Sequence, residues 1–294
     1  MDAINSNYET QQYSSLKNGI IGTLGVAAGW EGQTFITQKA KYPLKKYVKK
    51  NIKNIQGGGY LDYVEKAIKQ NHLQNDIKVI NLTSKNAKNV KKQLKVDLKS
   101  HKGVAKFILH LLRVPCNNDS FDATVKGKNA FFSPRDNAVV CNFDKLGAPI
   151  FHELQHKLNS QSSNLLIKTL AKIRNPLAVF GSLSISACAI FTDKKEKGEK
   201  TNIYDNIKNH CGLLTACSFL PLTIEECIAN VKGTKIAEKA GVKGEALKRV
   251  KNAHKLSIIS YVSSMFIVGF GAWAGNKIRD EICKMKIKQK GARE

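Results

Sequence analysis

Two histidines four residues apart, with a glutamate directly after the first, stand in the stretch "PIFHELQHKLNS", Pro149 to Ser160, as His152, Glu153 and His156. On a helix, positions i and i+4 share a face, so both imidazoles can point at one cation. The chemistry that fits is zinc-assisted hydrolysis. Zinc lowers the pKa of a coordinated water to about 7. A carboxylate at Glu153 can accept that water's proton and pass it to a leaving amine. The plain alternative is a packing helix that carries two histidines, because a five-residue pattern also arises by chance.

A hydrolytic zinc takes three protein ligands and leaves a position for water, so a third ligand must come from another part of the chain. "TIEECIANVKG", Thr223 to Gly233, sets Glu225 and Glu226 directly after an uncharged apolar run. An acidic helix start explains both glutamates without chemistry. A carboxylate at such a boundary, however, needs a partner, which favours a buried functional role. The other histidines, His72, His101, His110, His210 and His254, stand alone among lysines or apolar residues and read as surface or structural groups. An oxyanion-stabilising group is also expected, and no His, Tyr or Arg is marked out for it by position.

The segment around the motif reads as a mixed α/β unit from Tyr60 to Ser160. "YLDYVEKAIKQN" has apolar residues at helical spacing. "IKVINL" is a short strand, followed by a helix-start signal at "TSKN". "AKNVKKQLKVDLKSHKGVAKFILHLLRV" predicts helix, broken near Gly103 and ended by Pro115. "NAFFSPRDNAVVCN" predicts a hairpin around a Ser-Pro-Arg-Asp-Asn turn. Its second run comes just before the motif, and by resemblance to zinc peptidases with this motif it is expected to line the site and hold an extended substrate by its backbone. Ile150, Phe151, Leu154 and Leu158 then give the motif helix an apolar side, and Pro149 is allowed in its first turn.

The chain has 294 residues, 42% of them hydrophobic, which excludes a disordered polymer. Lys and Arg outnumber Asp and Glu by 48 to 23, for a formal net charge of +25. That balance favours anionic surfaces. "KKYVKKNIKN" is the best basic patch, yet no aromatic-interleaved signature accompanies it, so no specific nucleic-acid partner is expected. There are seven cysteines, an odd number with no C-x-x-C pair, several of them inside apolar runs. They read as reduced thiols without a disulfide framework. The N-terminus lacks the basic start and cleavage site of a secretory signal.

Four apolar runs remain. "NGIIGTLGVAAGW", Asn18 to Trp30, is short for a membrane span and leads into a basic arm closed by Gly57, Gly58 and Gly59. Pro176–Phe191, Cys211–Ile224 and Leu256–Gly275 carry no charge, and only the last approaches the ~20 residues a bilayer demands. The first two of these form either a short membrane hairpin or a buried helical pair. Small residues recur in all three, allowing close helix contact in lipid. Lysines flank every block, so the positive-inside count gives no orientation.

The order H-E-x-x-H, two apolar segments joined by a polar loop, then E-x-x-A-N resembles the integral-membrane zinc metallopeptidases of the HtpX and CAAX prenyl protease type. The likeness covers about Asn137 to Gly241 and is that of a distant, gluzincin-like branch. It implies zinc held by His152, His156 and Glu226, with Glu153 as the catalytic glutamate and Glu225 as a reserve ligand. The family's motif ends in aspartate. Asn230 stands there in this chain, and the resemblance places it in support of a ligand histidine without the carboxylate's charge. It also implies an active site facing the cytoplasm, with which free cysteines agree.

The expected fold is therefore α+β. It combines a mostly helical zincin-like peptidase domain with a small antiparallel sheet and two to four membrane-embedded helices. The expected divisions are 1–59 (apolar helix and basic arm), 60–175 (metallopeptidase domain), 176–224 (hydrophobic hairpin), 225–250 (third-ligand helix) and 251–294 (transmembrane helix and basic tail). The expected function is a zinc-dependent endopeptidase acting on peptide or protein substrates at a lipid bilayer, as an integral or peripheral membrane protein. The alternative is a non-catalytic basic membrane protein with a degenerate metal site.

Overall fold

A computed structural model describes the backbone of residues 2–94, 117–134, 136–192 and 200–291, and the side chains of 24–94, 121–134, 136–192 and 200–285. The expected helix beyond Gln93, its break at Gly103 and stop at Pro115, and His101, His110 and Cys116 lie outside these residues. The chain divides into two compact units. One comprises Met1–Lys46, Ile173–Thr223 and Tyr261–Glu294, and the other Tyr47–Lys172 and Ile224–Ser260.

The second unit holds the motif. Its helices are α2 (Leu61–Gln70), α3 (Ala87–Gln93), α4 (Asn117–Val125) and α5 (Ile150–Ser160), after α1 (Asp2–Asn51), which begins the chain. Strands β1 (Lys78–Asn81), β2 (Phe131–Ser133) and β3 (Ala138–Cys141) form one sheet in the order β1-β3-β2. The β2–β3 hairpin is antiparallel, as the turn residues predict, with Phe132 opposite Val139. β1 runs parallel to β3, pairing Lys78 with Ala138 and Asn81 with Cys141. The sheet is therefore mixed, which corrects the expectation of an antiparallel one. Parallel strands need a long crossover, and the fifty-odd residues between Asn81 and Ala138 supply it.

β3 is the central strand, paired on both edges, so its backbone cannot hold a further chain. The expectation that this run grips an extended substrate is corrected, because β2 is the edge strand on that side. All four residues of β3 are buried. Val139 and Cys141 face a core with Tyr60, Val64, Leu146, Ile150, Phe151 and Leu154. Ala138 and Val140 face a second cluster with Leu82, Val90 and Phe121. A strand covered on both faces reads as a continuous apolar run, which is how "AVVC" reads. Tyr60 meets Phe151 edge to face with ring centroids 6.2 Å apart, and its hydroxyl donates to Ala246 O at 3.0 Å.

Beyond the motif run α6 (Leu165–Pro176), one π-helical turn (Leu177–Gly181), α7 (Ser182–Phe191), α8 (Ile203–Asn209), α9 (Cys211–Ser218), α10 (Leu220–Lys239) and α11 (Gly244–Gly291). Among the described residues, three stretches are long and apolar enough to cross a membrane: Leu165–Phe191, Cys211–Lys239 and Gly244–Met285. Each exceeds the uncharged block that announced it, because flanking mixed sequence continues the same helix. Glu225 and Glu226 consequently lie more than one turn inside α10. This corrects the reading of an acidic helix start.

Within the first unit, small residues let helices meet at backbone distance. A side chain at Gly275 would put its Cβ 2.6 Å from Gly29 O, and one at Gly269 would meet Gly212 O at the same distance. The Lys208 ammonium is buried between Asp280 Oδ1 at 2.7 Å, Asn276 Oδ1 at 2.6 Å and Ala189 O at 3.1 Å. Large apolar side chains such as Phe180, Phe191, Leu213, Phe266 and Phe270 are exposed, as lipid contact allows. Among the described residues, Cys141, Cys188, Cys211, Cys217, Cys227 and Cys283 form no disulfide.

Candidate metal centre

α5 starts straight after Pro149, whose fixed φ suits a first turn. Ile150, Phe151 and Leu154 turn into the core, and this fixes the rotation of the helix. His152 and His156 are thereby held on a buried face, 7% and 6% exposed. Their Nε2 atoms are 2.8 Å apart.

α10 supplies the carboxylates. It approaches α5 closely because residue 233 is glycine: a Cβ there would sit 2.8 Å from Phe151 O and 3.1 Å from His152 Cα. Gly233 and Glu226 are two helical turns apart on one face. The close approach therefore brings Glu226 Oε2 to 3.0 Å from His152 Nε2, and its Oε1 to 3.5 Å from His156 Nε2. One ligand atom from each of His152, His156 and Glu226 lies within 4.8 Å of the others, and all three residues are buried.

Glu225 has a different place from the reserve ligand expected of it. Its Oε1 is 3.0 Å from His156 Nδ1 and also accepts from Asn159 Nδ2 at 2.8 Å. Asn159 Oδ1 in turn accepts from Gln155 Nε2 at 2.7 Å. An ionised carboxylate only accepts, so His156 Nδ1 donates to it. The His156 Nε2 lone pair is left facing Glu226 and His152. This is the carboxylate–histidine support that orients metal-binding imidazoles.

The donor set fits a divalent cation. Two inward imidazole nitrogens and one carboxylate are donors that divalent transition metals accept. Without a cation or a shared proton, two nitrogen lone pairs 2.8 Å apart would repel in a buried site. The residues present therefore could hold a metal ion.

Glu153 follows His152 on the same helix but turns toward the sheet edge. Its Oε2 accepts from the backbone N–H of Phe132 in β2 at 2.9 Å. Burial, with the Glu153 carboxylate adding to it, pushes the Cys141 thiol above its ordinary range.

Asn230 does not touch a ligand imidazole. Its Nδ2 donates to Glu226 O at 2.7 Å and to Ser257 Oγ at 3.2 Å. The support expected from Asn230 is supplied to His156 by Glu225 instead.

His254, read from sequence as a structural group, is buried beside the centre, with its ring centroid 6.0 Å from that of His152. Its Nδ1 is 2.6 Å from Thr234 Oγ1. The signal that could have singled it out is its place four residues after Val250 and next to Ala253, on the buried apolar stripe of an otherwise lysine-rich stretch. Compared with known protein families, curated proteins and solved structures, the chain finds no match.

Proposed function

We propose that this chain is a zinc-dependent, membrane-associated endopeptidase whose motif helix and small sheet form a zincin-like site. The observation that carries this reading is the buried His152–His156–Glu226 group, with Glu225 orienting one of the imidazoles. When bound, zinc supplies a Lewis acid that polarises a peptide carbonyl and acidifies water. His152, His156 and Glu226 hold it. Glu153 takes the proton from the attacking water and delivers it to the leaving nitrogen. The Phe132 N–H holds one Glu153 oxygen and so aims the carboxylate. Three helices long and apolar enough to cross a membrane support a reading at the bilayer, and the family resemblance implies a site facing the cytoplasm.

The test is a pair of variants in purified full-length protein. Glu153→Gln should retain stoichiometric zinc and lose proteolysis, whereas His156→Ala should lose the zinc itself. Cleavage by Glu153→Gln at the wild-type rate sinks the mechanism. A second reading, a basic membrane protein that binds metal without turnover, draws on the hydrogen bond that ties Glu153 to β2 and on asparagine at position 230. It predicts zinc binding in the wild-type protein with no cleavage of any unfolded test protein.

A further inference from the structure

α10 and α11 follow one another across the turn at 240–243, and three polar contacts stitch them together antiparallel. Glu238 Oε1 meets Lys251 Nζ at 2.9 Å, Thr234 Oγ1 meets His254 Nδ1 at 2.6 Å, and Asn230 Nδ2 donates to Ser257 Oγ at 3.2 Å. Each contact lies about one helical turn beyond the last. Over this seam lies an open cleft of about 250 Å³, formed within one compact unit.

The cleft is apolar along its walls and cationic at the end nearest the turn. Val231, Ile258 and Ile259 make the walls, and Lys251 and Lys255 make the cationic end. Val231 is 53% exposed and the two isoleucines are half-buried, so an apolar guest would remove their surface from water. Lys251 is engaged by Glu238. Lys255 is exposed and has no ion-pair partner among the described residues.

The charge pattern of α11 sets the depth of the cleft. Lys248, Arg249, Lys251 and Lys255 precede a stretch, Leu256 to Gly275, that carries no charge. Lys255 is thus the last cation before the apolar run, and Ile258 and Ile259 lie about one turn inside it. In a bilayer the ammonium stands at headgroup level and the isoleucines stand among the acyl chains.

A ligand for this cleft needs an apolar chain with a negative group at one end. An anionic phospholipid has both, and basic pockets between membrane helices take such headgroups. Charge disfavours the other occupants. A second copy of this chain would bring a net charge of +25 to a cationic rim, and a neutral lipid would leave Lys255 without a counter-charge.

We infer that the cleft between α10 and α11 binds an anionic phospholipid, whose phosphate pairs with Lys255 and whose acyl chain lies along Val231, Ile258 and Ile259. This rests on the membrane part of the reading above and is independent of the metal.

The experiment reconstitutes detergent-purified full-length protein into phosphatidylcholine vesicles with a trace of phosphatidylglycerol that carries a diazirine on its acyl chain. After photolysis, labelled peptides are mapped by mass spectrometry. Adducts should concentrate on residues 230–234 and 251–259. They should exceed those from phosphatidylcholine with the same chain by about fivefold, the worth of one lysine at an anionic headgroup. Unlabelled phosphatidylglycerol should displace the label, and glycerol phosphate in solution should not. Lys255→Glu should bring labelling down to the phosphatidylcholine level. Lys248→Glu changes the charge equally at an exposed position on the same helix, about 10 Å away and screened by salt, and should leave labelling unchanged. Val231→Trp should fill the cleft and lower labelling by either lipid.

Equal labelling by the two lipids, or equal loss in Lys255→Glu and Lys248→Glu, would mean diffuse attraction to a basic protein and overturns the site. Absence of adducts on these peptides, with 260–275 labelled, would mean that a second chain covers the cleft, and overturns it as well. If the protein does not enter the vesicles, the membrane reading falls and takes this inference with it, an outcome distinct from the other two.

Discussion

A carboxylate set beside an imidazole decides which nitrogen carries the proton, and in this chain Glu225 makes that decision for His156. Glu225→Gln removes the charge and keeps the shape. The expected outcome is zinc affinity weaker by about tenfold or more, read by chelator competition, with little change in helix content by circular dichroism. Cys141 offers a second check at this scale. It is fully buried and its thiol is pushed up, first by burial and then by the nearby Glu153 carboxylate. The thiolate is the reactive form, so Cys141 should resist iodoacetamide in the folded protein and react only after denaturation, as peptide mass mapping would reveal. Because the folded state favours the neutral thiol, this contribution to stability is intact below the thiol's ordinary pKa and is lost as pH rises above it.

Elements position these residues through two contacts: α5 against β3, and α10 against α5. The second depends on Gly233. A methyl group there would meet backbone atoms, Phe151 O and His152 Cα, which cannot rotate away. Gly233→Ala should therefore push α10 outward, costing about 1–3 kcal/mol as overpacking does. Zinc affinity should fall together with the melting temperature, because the shift carries Glu226 away from the imidazoles. A substitution at Gly59, where nothing lies within 4 Å of an added Cβ but φ is +84°, should lower stability through backbone strain alone and leave zinc affinity unchanged. Measuring both quantities on both variants separates packing at the site from strain elsewhere.

For the whole molecule, three helices long and apolar enough to span a bilayer predict that the protein sediments with membranes and resists extraction by high salt or alkaline carbonate. Release by salt alone would mean that the +25 charge, and not the apolar helices, holds it there. In the unit that contains α8, Lys208 and Asp280 are buried, 2% and 6% exposed, and in contact at 2.7 Å. Burial holds the lysine's pKa below its ordinary value, and Asp280 offsets only part of that. Removing one partner of a buried pair costs about 3–5 kcal/mol, so Lys208→Ala should markedly lower the thermal midpoint of the protein in detergent. Arg279 Nη1 holds the same Asp280 oxygen at 3.1 Å, so Lys208→Ala should cost less than Asp280→Ala, which takes a partner from both cations.

Local pattern was enough to read much of this protein. A 3.6-residue period marked α2 and α5, the turn residues after Ser133 marked the β2–β3 hairpin, and the i, i+4 histidines announced that their imidazoles share a face. Uncharged runs marked the membrane-compatible helices, though not their lengths, because mixed flanks extend a helix without adding to its apolar block. Tertiary structure alone decided what joins across long stretches of chain: β1 lying parallel to β3, Glu226 facing the Nε2 pair while Glu225 turns to His156 Nδ1, and His254 arriving beside His152. Adjacent residues on a helix point about 100° apart. Which of two neighbouring glutamates reaches a site is therefore fixed by how the helix is rotated and how close it packs. That depends on the fit of Gly233 against a backbone some eighty residues away.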